Sequence, residues 1–135
     1  MNLQDLTNAI PPQAGGNAYD KMRTLWPRIY VAGPYTCGDR EANVRRNLEV
    51  ASQLIDLGYA PYAPLLTHYM HEQTPRDPSD WLSLDLAYLT TCHALLRTPG
   101  ESRGADIEVA FCKDAGIPVF YTFAALEEYF RGPFD

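Results

Sequence analysis

The sequence predicts a three-layer α/β domain on a parallel sheet of four or five strands. Short runs rich in β-branched and aromatic residues alternate with segments of helical periodicity, which is typical of a parallel sheet covered on both faces by crossover helices. The predicted strands are 28–32, 59–63, 93–97 and 117–121, and the predicted helices are 40–57, 65–73, 78–91, 103–115 and 122–130. Right-handed crossovers favour the strand order 2-1-3-4, a Rossmann/flavodoxin-like arrangement.

The first strand, 28–32, runs directly into a loop bounded by glycines, Gly33-Pro34-Tyr35-Thr36-Cys37-Gly38-Asp39. Ligands of α/β sheets bind beyond the carboxyl ends of the strands, so Gly33, Pro34 and Tyr35 are candidate substrate-binding residues. The loop has neither the glycine spacing of a dinucleotide fingerprint nor that of a Walker loop.

Asp39 is the expected N-cap of the first helix, and Gly58 ends it. The expected inward-facing stripe consists of Val44, Leu48, Ala51 and Ile55. Arg45 lies near the helix start, where a cation opposes the helix dipole. That position favours a role for Arg45 in binding an anion, although a solvated basic face is the alternative.

The second strand carries Pro61 and is followed by Pro64, which predicts a place at the sheet edge. His68 and His71 follow on a short helix, three residues apart, and can face one way. We expect His68 and His71 to line a pocket or make a core hydrogen bond, because no third residue has the spacing of a metal ligand. No metal site and no cofactor are expected.

Asp77 and Pro78 form a strong start for the third helix. Its apolar stripe is expected to comprise Trp81, Tyr88, Leu89 and Cys92. Asp85 lies within that stripe, so its carboxylate should point inward.

A second inward carboxylate, Glu108, lies on the helix that Ser102 caps and Gly116 ends. The apolar residues of this helix are Ile107, Phe111, Cys112 and Ala115. A carboxylate on an inward face costs free energy unless it is paired or used, and Gly104, one turn earlier, leaves room for a ligand. A Glu that leans to the helix edge and pairs with an Arg is the alternative.

The predicted topology brings the Gly33–Asp39 loop, the Ser102 helix start and both carboxylates to one crevice. That convergence favours a functional Glu108. Buried carboxyls that lie close together have pKa values pushed apart, which yields one anion and one acid.

Residues 1–27 lack periodicity and are expected to form an N-terminal arm, so 28–135 form a single domain. A net charge of −6 argues against binding to a nucleic acid polymer, and no apolar run is long enough to span a membrane. Three cysteines without paired spacing suggest reduced thiols in a cytoplasmic protein, with Cys92 and Cys112 buried.

The segment 29–35, the Asp80-Trp81 and Asp85-Leu86 pairs, and Ser102–Ala105 with Glu108 resemble blocks of a known superfamily. It is the nucleoside 2-deoxyribosyltransferase-like superfamily, especially its small members named only as a domain of unknown function (DUF4406). The order and spacing of the blocks carry the resemblance, which covers residues 28–121.

The resemblance implies that Glu108 is the nucleophile at the sugar anomeric carbon and that Asp85 assists at the sugar or base. It implies that the Gly33–Tyr35 loop lines the pocket and that Ser102 binds a 5′-phosphate in the monophosphate-specific branch. His93 departs from the pattern, since many members have an Asp there.

The implied activity is N-glycosidase or 2-deoxyribosyltransferase chemistry on a nucleoside or its 5′-monophosphate. Members assemble as dimers or larger oligomers, so a homodimer or homotetramer is expected, and the aromatic residues near the C-terminus fit an interface. These are Tyr121, Phe123, Tyr129, Phe130 and Phe134. Two alternatives remain open: a nucleotide-binding module without turnover, and hydrolysis of a nicotinamide dinucleotide.

Overall fold

The computed structural model of the protein describes residues 26–131. It contains a parallel sheet of four strands, β1 Arg28–Ala32, β2 Ala60–Tyr62, β3 Ala94–Arg97 and β4 Val119–Phe120. The order β2-β1-β3-β4 confirms the predicted topology, and β2, with its proline, lies at an edge.

Five helices connect and follow the strands: α1 Arg40–Asp56, α2 Leu66–Gln73, α3 Pro78–Leu89, α4 Arg103–Ala115 and α5 Phe123–Arg131. Within residues 26–131, none of the helices has the length and apolar character needed to cross a membrane.

The predicted caps form as hydrogen-bonded helix starts. Asp39 accepts from the Ala42 amide at 3.2 Å. Asp77 accepts from the Ser79 amide at 2.9 Å. The Ser102 hydroxyl accepts from the Ala105 amide at 3.1 Å, which fixes the first turn of α4 next to the end of β1.

The sheet separates two apolar cores, because successive side chains of a strand point to opposite faces. One core lies under α1 and α5 and contains Ile29, Val31, Leu54, Tyr59, Ala94, Leu96 and Leu126. The other lies under α3 and α4 and contains Tyr30, Ala32, Leu89, Leu95, Ala105, Val109 and Cys112. Both inward carboxylates belong to helices of this second face.

The predicted inner stripe of α1 is wrong. Leu48 and Ile55 are 55% and 52% exposed, whereas Asn43, Asn47 and Leu54 are buried. The Asn43 side-chain amide donates to two carbonyls of the loop after β1, so a polar residue takes an inward position that the apolar pattern assigned elsewhere.

Smaller differences affect the stripes of α3 and α4. Tyr88 is 48% exposed and Ile107 is 37% exposed, and Ala115 is exposed as well. Cys112 is buried as predicted, but Cys92 is only partly buried. The expected N-terminal arm lies outside the described residues except for its last two positions, as does Phe134.

Candidate active site

A cavity of about 610 Å³ opens beyond the carboxyl ends of β1 and β3. Its walls come from the loop after β1, from α2 and α3, and from the start of α4. Seven of the predicted site residues line it: Gly33, Tyr35, His68, Ser102, Gly104 and the two catalytic candidates Glu108 and Asp85.

Glu108 lies on the inner face of α4 and is only 7% exposed. The hydroxyl of Tyr30, a fully buried residue of β1, donates a hydrogen bond to Glu108 Oε2. Burial raises the pKa of Glu108 to about 7; the negative charge of Asp85 adds to the rise, while the Tyr30 bond and Arg97 oppose it. Near neutral pH this carboxyl therefore lies close to its midpoint of ionisation.

Asp85 approaches the same cavity from α3. Its Oδ1 is buried and has no hydrogen-bond partner among residues 26–131. Burial raises the pKa of Asp85 to about 7 as well. The negative charge of Asp85 also raises the pKa of Glu108, so ionisation of one carboxyl opposes ionisation of the other. Both pKa values lie at about 7 and are not pushed apart as the sequence predicted.

Glu127 is a buried carboxylate outside the cavity and offers a comparison with Glu108. It lies on α5, on the opposite face of the sheet, and its Oε2 is 2.9 Å from Arg131 Nε. Within the described part of the chain Glu108 has no such ion pair and is held by a tyrosine instead. The ion-paired alternative expected for a buried Glu thus describes Glu127 and not Glu108.

The loop after β1 is held close to α4 and β3. A Cβ at Gly33 would collide with the Thr98 hydroxyl, so only glycine fits there. Ser102 donates weakly to the Gly33 carbonyl at 3.5 Å. Pro34 is buried against Gly100 and does not line the cavity, so it shapes the loop from behind.

The start of α4 forms a polar end of the cavity. Ser102 caps the helix, and a Cβ at Gly104 would meet no atom within 4 Å, so the space above the first turn is open. Arg103 and Arg40 line this region, and the Arg40 guanidinium lies 5.7 Å from the centre of the Tyr35 ring. Free helix N–H groups and two cations suit an anionic group.

Arg45 is not brought to this end of the cavity. It is exposed on α1, more than one turn beyond Arg40, and is absent from the cavity walls. Arg40, closer to the N-terminus of the same helix, occupies the position that the sequence analysis assigned to Arg45.

The wall formed by α2 is aromatic and carries two histidines. The rings of His68 and Tyr35 meet edge to face, with centroids 4.9 Å apart. The indole N–H of Trp81 donates to His71 Nδ1 at 2.7 Å. The Tyr35 hydroxyl is buried without a hydrogen-bond partner in the described region and is therefore available to a ligand.

Sequence reasoning missed Tyr30 and Trp81 as site residues, whereas His71 lines the cavity as one of the two expected positions. Tyr30 was assigned only to the first strand, although strand alternation places its side chain on the face of α3 and α4. His93, the noted departure, does not line the cavity; its Nδ1 accepts from the Arg28 amide at 2.9 Å. No cluster of three or more metal-ligating side chains occurs among residues 26–131.

Comparison with solved structures finds similar α/β folds. A conserved protein from Enterococcus faecalis V583 matches with a TM-score of 0.55 at 20% identity, over 70% of this chain and 61% of that one. A 2-deoxyribosyltransferase from Bacillus psychrosaccharolyticus matches with a TM-score of 0.48 at 20% identity, over 68% of this chain and 69% of that one. The Enterococcus match shows a shared fold, and the chain spans less than two thirds of that protein's length.

No protein of curated function matches the sequence significantly. One family model covers residues 27–122, and it is not DUF4406, the family named by the sequence resemblance. Its span contains the sheet, the cavity and both inward carboxylates. The chain therefore belongs to the family described as Domain of unknown function (DUF7768).

Proposed function

We propose that this protein cleaves the N-glycosidic bond of a nucleoside or nucleoside 5′-monophosphate, with Glu108 as nucleophile. The observation that carries the proposal is the presence in one cavity of two inward carboxyls, the buried Glu108 and the half-buried Asp85, both with pKa raised to about 7. Perturbed carboxyls in a cleft mark candidate catalytic sites, and the resemblance drawn from the sequence assigns the same two residues.

The chemistry follows from the charges that develop during cleavage. Loss of the base leaves an oxocarbenium-like sugar, which an adjacent carboxylate stabilises or captures covalently. Glu108 supplies that carboxylate, and the Tyr30 hydroxyl fixes its Oε2 so that Oε1 is left to face the sugar. Asp85, on the neighbouring helix, orients the sugar or carries a proton. Attack by water then gives hydrolysis, and attack by a second base gives transfer.

The size and polarity of the cavity fit a nucleotide. A volume of about 610 Å³ falls within the range of small-molecule sites, roughly 300–1,000 Å³. The polar end at Ser102, Arg103 and Arg40 would receive a 5′-phosphate, and the aromatic wall on α2 would receive the base.

Ser102→Ala tests the phosphate end. The variant loses an N-cap, which costs about 1 kcal/mol of stability. It should also weaken binding of a nucleoside 5′-monophosphate more than binding of the matching nucleoside in calorimetric titrations. Equal weakening of both ligands would mean that Ser102 only caps the helix.

A substrate panel tests the activity itself. Purified protein is incubated with ribo- and deoxyribonucleosides, their 5′-monophosphates and NAD, and free base is measured by chromatography. Release of base from a nucleoside or monophosphate supports the proposal, and a second added base distinguishes transfer from hydrolysis. Binding without release would favour the nucleotide-binding alternative, and release of nicotinamide from NAD alone would favour the dinucleotide hydrolase.

A cytoplasmic setting is part of the proposal. It is supported by the cysteines, since Cys37, Cys92 and Cys112 are all free thiols, as is usual in a reducing compartment.

A further inference from the structure

His68 is part of a carboxylate–histidine pair inside the cavity. Its Nε2 lies 2.9 Å from Glu72 Oε1, one turn further along α2. The His68 side chain is 15% exposed, whereas Glu72 is 53% exposed and reaches towards solvent. The Tyr35 ring packs on the edge of the imidazole and restricts its rotation. The ring is therefore held in place with one nitrogen committed to a carboxylate.

The contact between His68 Nε2 and Glu72 determines which nitrogen of the ring can exchange a proton with a ligand. A carboxylate accepts the Nε2 hydrogen, so any proton passed to or taken from a substrate must reside on Nδ1. Among the described residues, His68 Nδ1 has no hydrogen-bond partner. Because His68 lines the cavity, this nitrogen is the one that remains for a hydrogen bond to a ligand.

His71, one turn away on the same helix, is arranged in the opposite way. Its Nδ1 accepts from Trp81 Nε1 at 2.7 Å and from the Arg76 amide at 3.2 Å. Both are N–H donors, so Nδ1 carries no proton and Nε2 carries one. A second proton on His71 would break both bonds. His71 also lines the cavity but is fixed as a neutral hydrogen-bond donor.

We propose that the His68–Glu72 pair is the proton-transfer group for the base that leaves. The inference rests on the proposed function and adds a third catalytic group to it. As the C1′–N bond breaks, its electron pair moves to the base, and the proton on His68 Nδ1 moves to a base nitrogen. Glu108 captures the anomeric carbon. In hydrolysis, water then attacks that carbon and His68 Nδ1 takes the proton from the water, which restores the starting state.

Leaving groups that need no proton provide the test. In 7-methyl-2′-deoxyguanosine 5′-monophosphate the base already carries a positive charge. When the N-glycosidic bond breaks, this base takes the electron pair and leaves as a neutral molecule, so it needs no proton from an acid. His68→Gln should lower kcat/KM about 100-fold or more on unmodified substrates, and only a few-fold on the methylated one. Glu72→Gln, which releases the ring from its partner, should show the same pattern with a smaller loss.

His71→Gln is the matched control, since it removes an imidazole from the same wall of the cavity. It should lower kcat/KM by similar factors on methylated and unmodified substrates. Thermal unfolding of each variant shows that the comparison is made on folded protein. Equal losses on both substrates for His68→Gln would overturn the proposal and leave His68 as a wall residue.

Chemical rescue tests the role of His68 if the protein accepts too few bases for this comparison. In His68→Gly the imidazole is replaced by space, so added free imidazole should restore base release in a concentration-dependent way. No recovery in a folded, substrate-binding variant would overturn the proposal. Failure of the wild type to release any base refutes the proposed function itself, whereas activity lost in Glu108→Gln but kept in His68→Gln refutes only the role of His68.

Discussion

Glu108→Gln should make the folded protein more stable at pH 8 while changing little at pH 4. The carboxyl has a pKa of about 7 in the folded protein, against an ordinary value of 4.5 for a glutamate. Between pH 4.5 and pH 7 the folded state binds a proton that the unfolded state has lost, so the stability of the wild type falls as pH rises. The full shift corresponds to about 3 kcal/mol, since one pKa unit is about 1.4 kcal/mol.

Glutamine keeps the shape of the side chain and an oxygen that accepts from Tyr30, but it has no charge to bury. Urea unfolding at fixed protein concentration, from pH 4 to 8.5, should show a weaker loss of stability with pH in the variant. Glu128→Gln, an exposed carboxylate on α5, is the control and should follow the wild type. If the free energy of unfolding of Glu108→Gln varies with pH in parallel with that of the wild type, burial does not raise the pKa of the Glu108 carboxyl.

Three further predictions follow from the site and the assembly. Tyr30→Phe removes the hydrogen bond that lowers the pKa of Glu108, so the acidic limb of the pH–rate profile should move to higher pH. An unchanged acidic limb would show that the group titrating there is not Glu108 or that the bond does not affect its pKa. Gly33→Ala should destabilise the protein through collision with Thr98, whereas Gly104→Ala, which faces open space, should fold normally; thermal melting compares the two. The protein should form a homodimer or homotetramer, and a monomeric mass by light scattering at micromolar concentration would contradict that.

The sequence was sufficient for the strand order and the helix caps because these depend on local signals. Asp77 precedes a proline and Ser102 precedes a helical segment, and each caps its helix by a side-chain hydrogen bond to a nearby amide. Such signals are visible in the sequence itself. The anomaly of Glu108 was also visible, because an acid on an apolar stripe stands out. Gly33 was located correctly beyond β1. The reason that a glycine is needed there, the close approach of Thr98, is visible only in the folded structure.

The remaining features depend on side-chain contacts that the apolar pattern does not describe. Asn43 is buried because it bonds two carbonyls of a loop, and apolar periodicity counts an asparagine as exposed. Tyr30 meets Glu108 across 78 positions of the chain, so nothing near either residue announces the bond. The His68–Glu72 pair has the i, i+4 spacing of helical neighbours and could have been anticipated, whereas the His71–Trp81 bond joins two different helices.

The role of Glu108 as nucleophile is tested by comparing base release by the wild type and by Glu108→Gln on the same substrate. We expect the rate of the variant to fall about 1,000-fold or more, equivalent to roughly 4 kcal/mol in the barrier, with the fold retained. The control Glu128→Gln lies on the opposite face of the sheet and should keep the wild-type rate. A Glu108→Gln protein that releases base at the wild-type rate would contradict the assignment of Glu108 as the nucleophile.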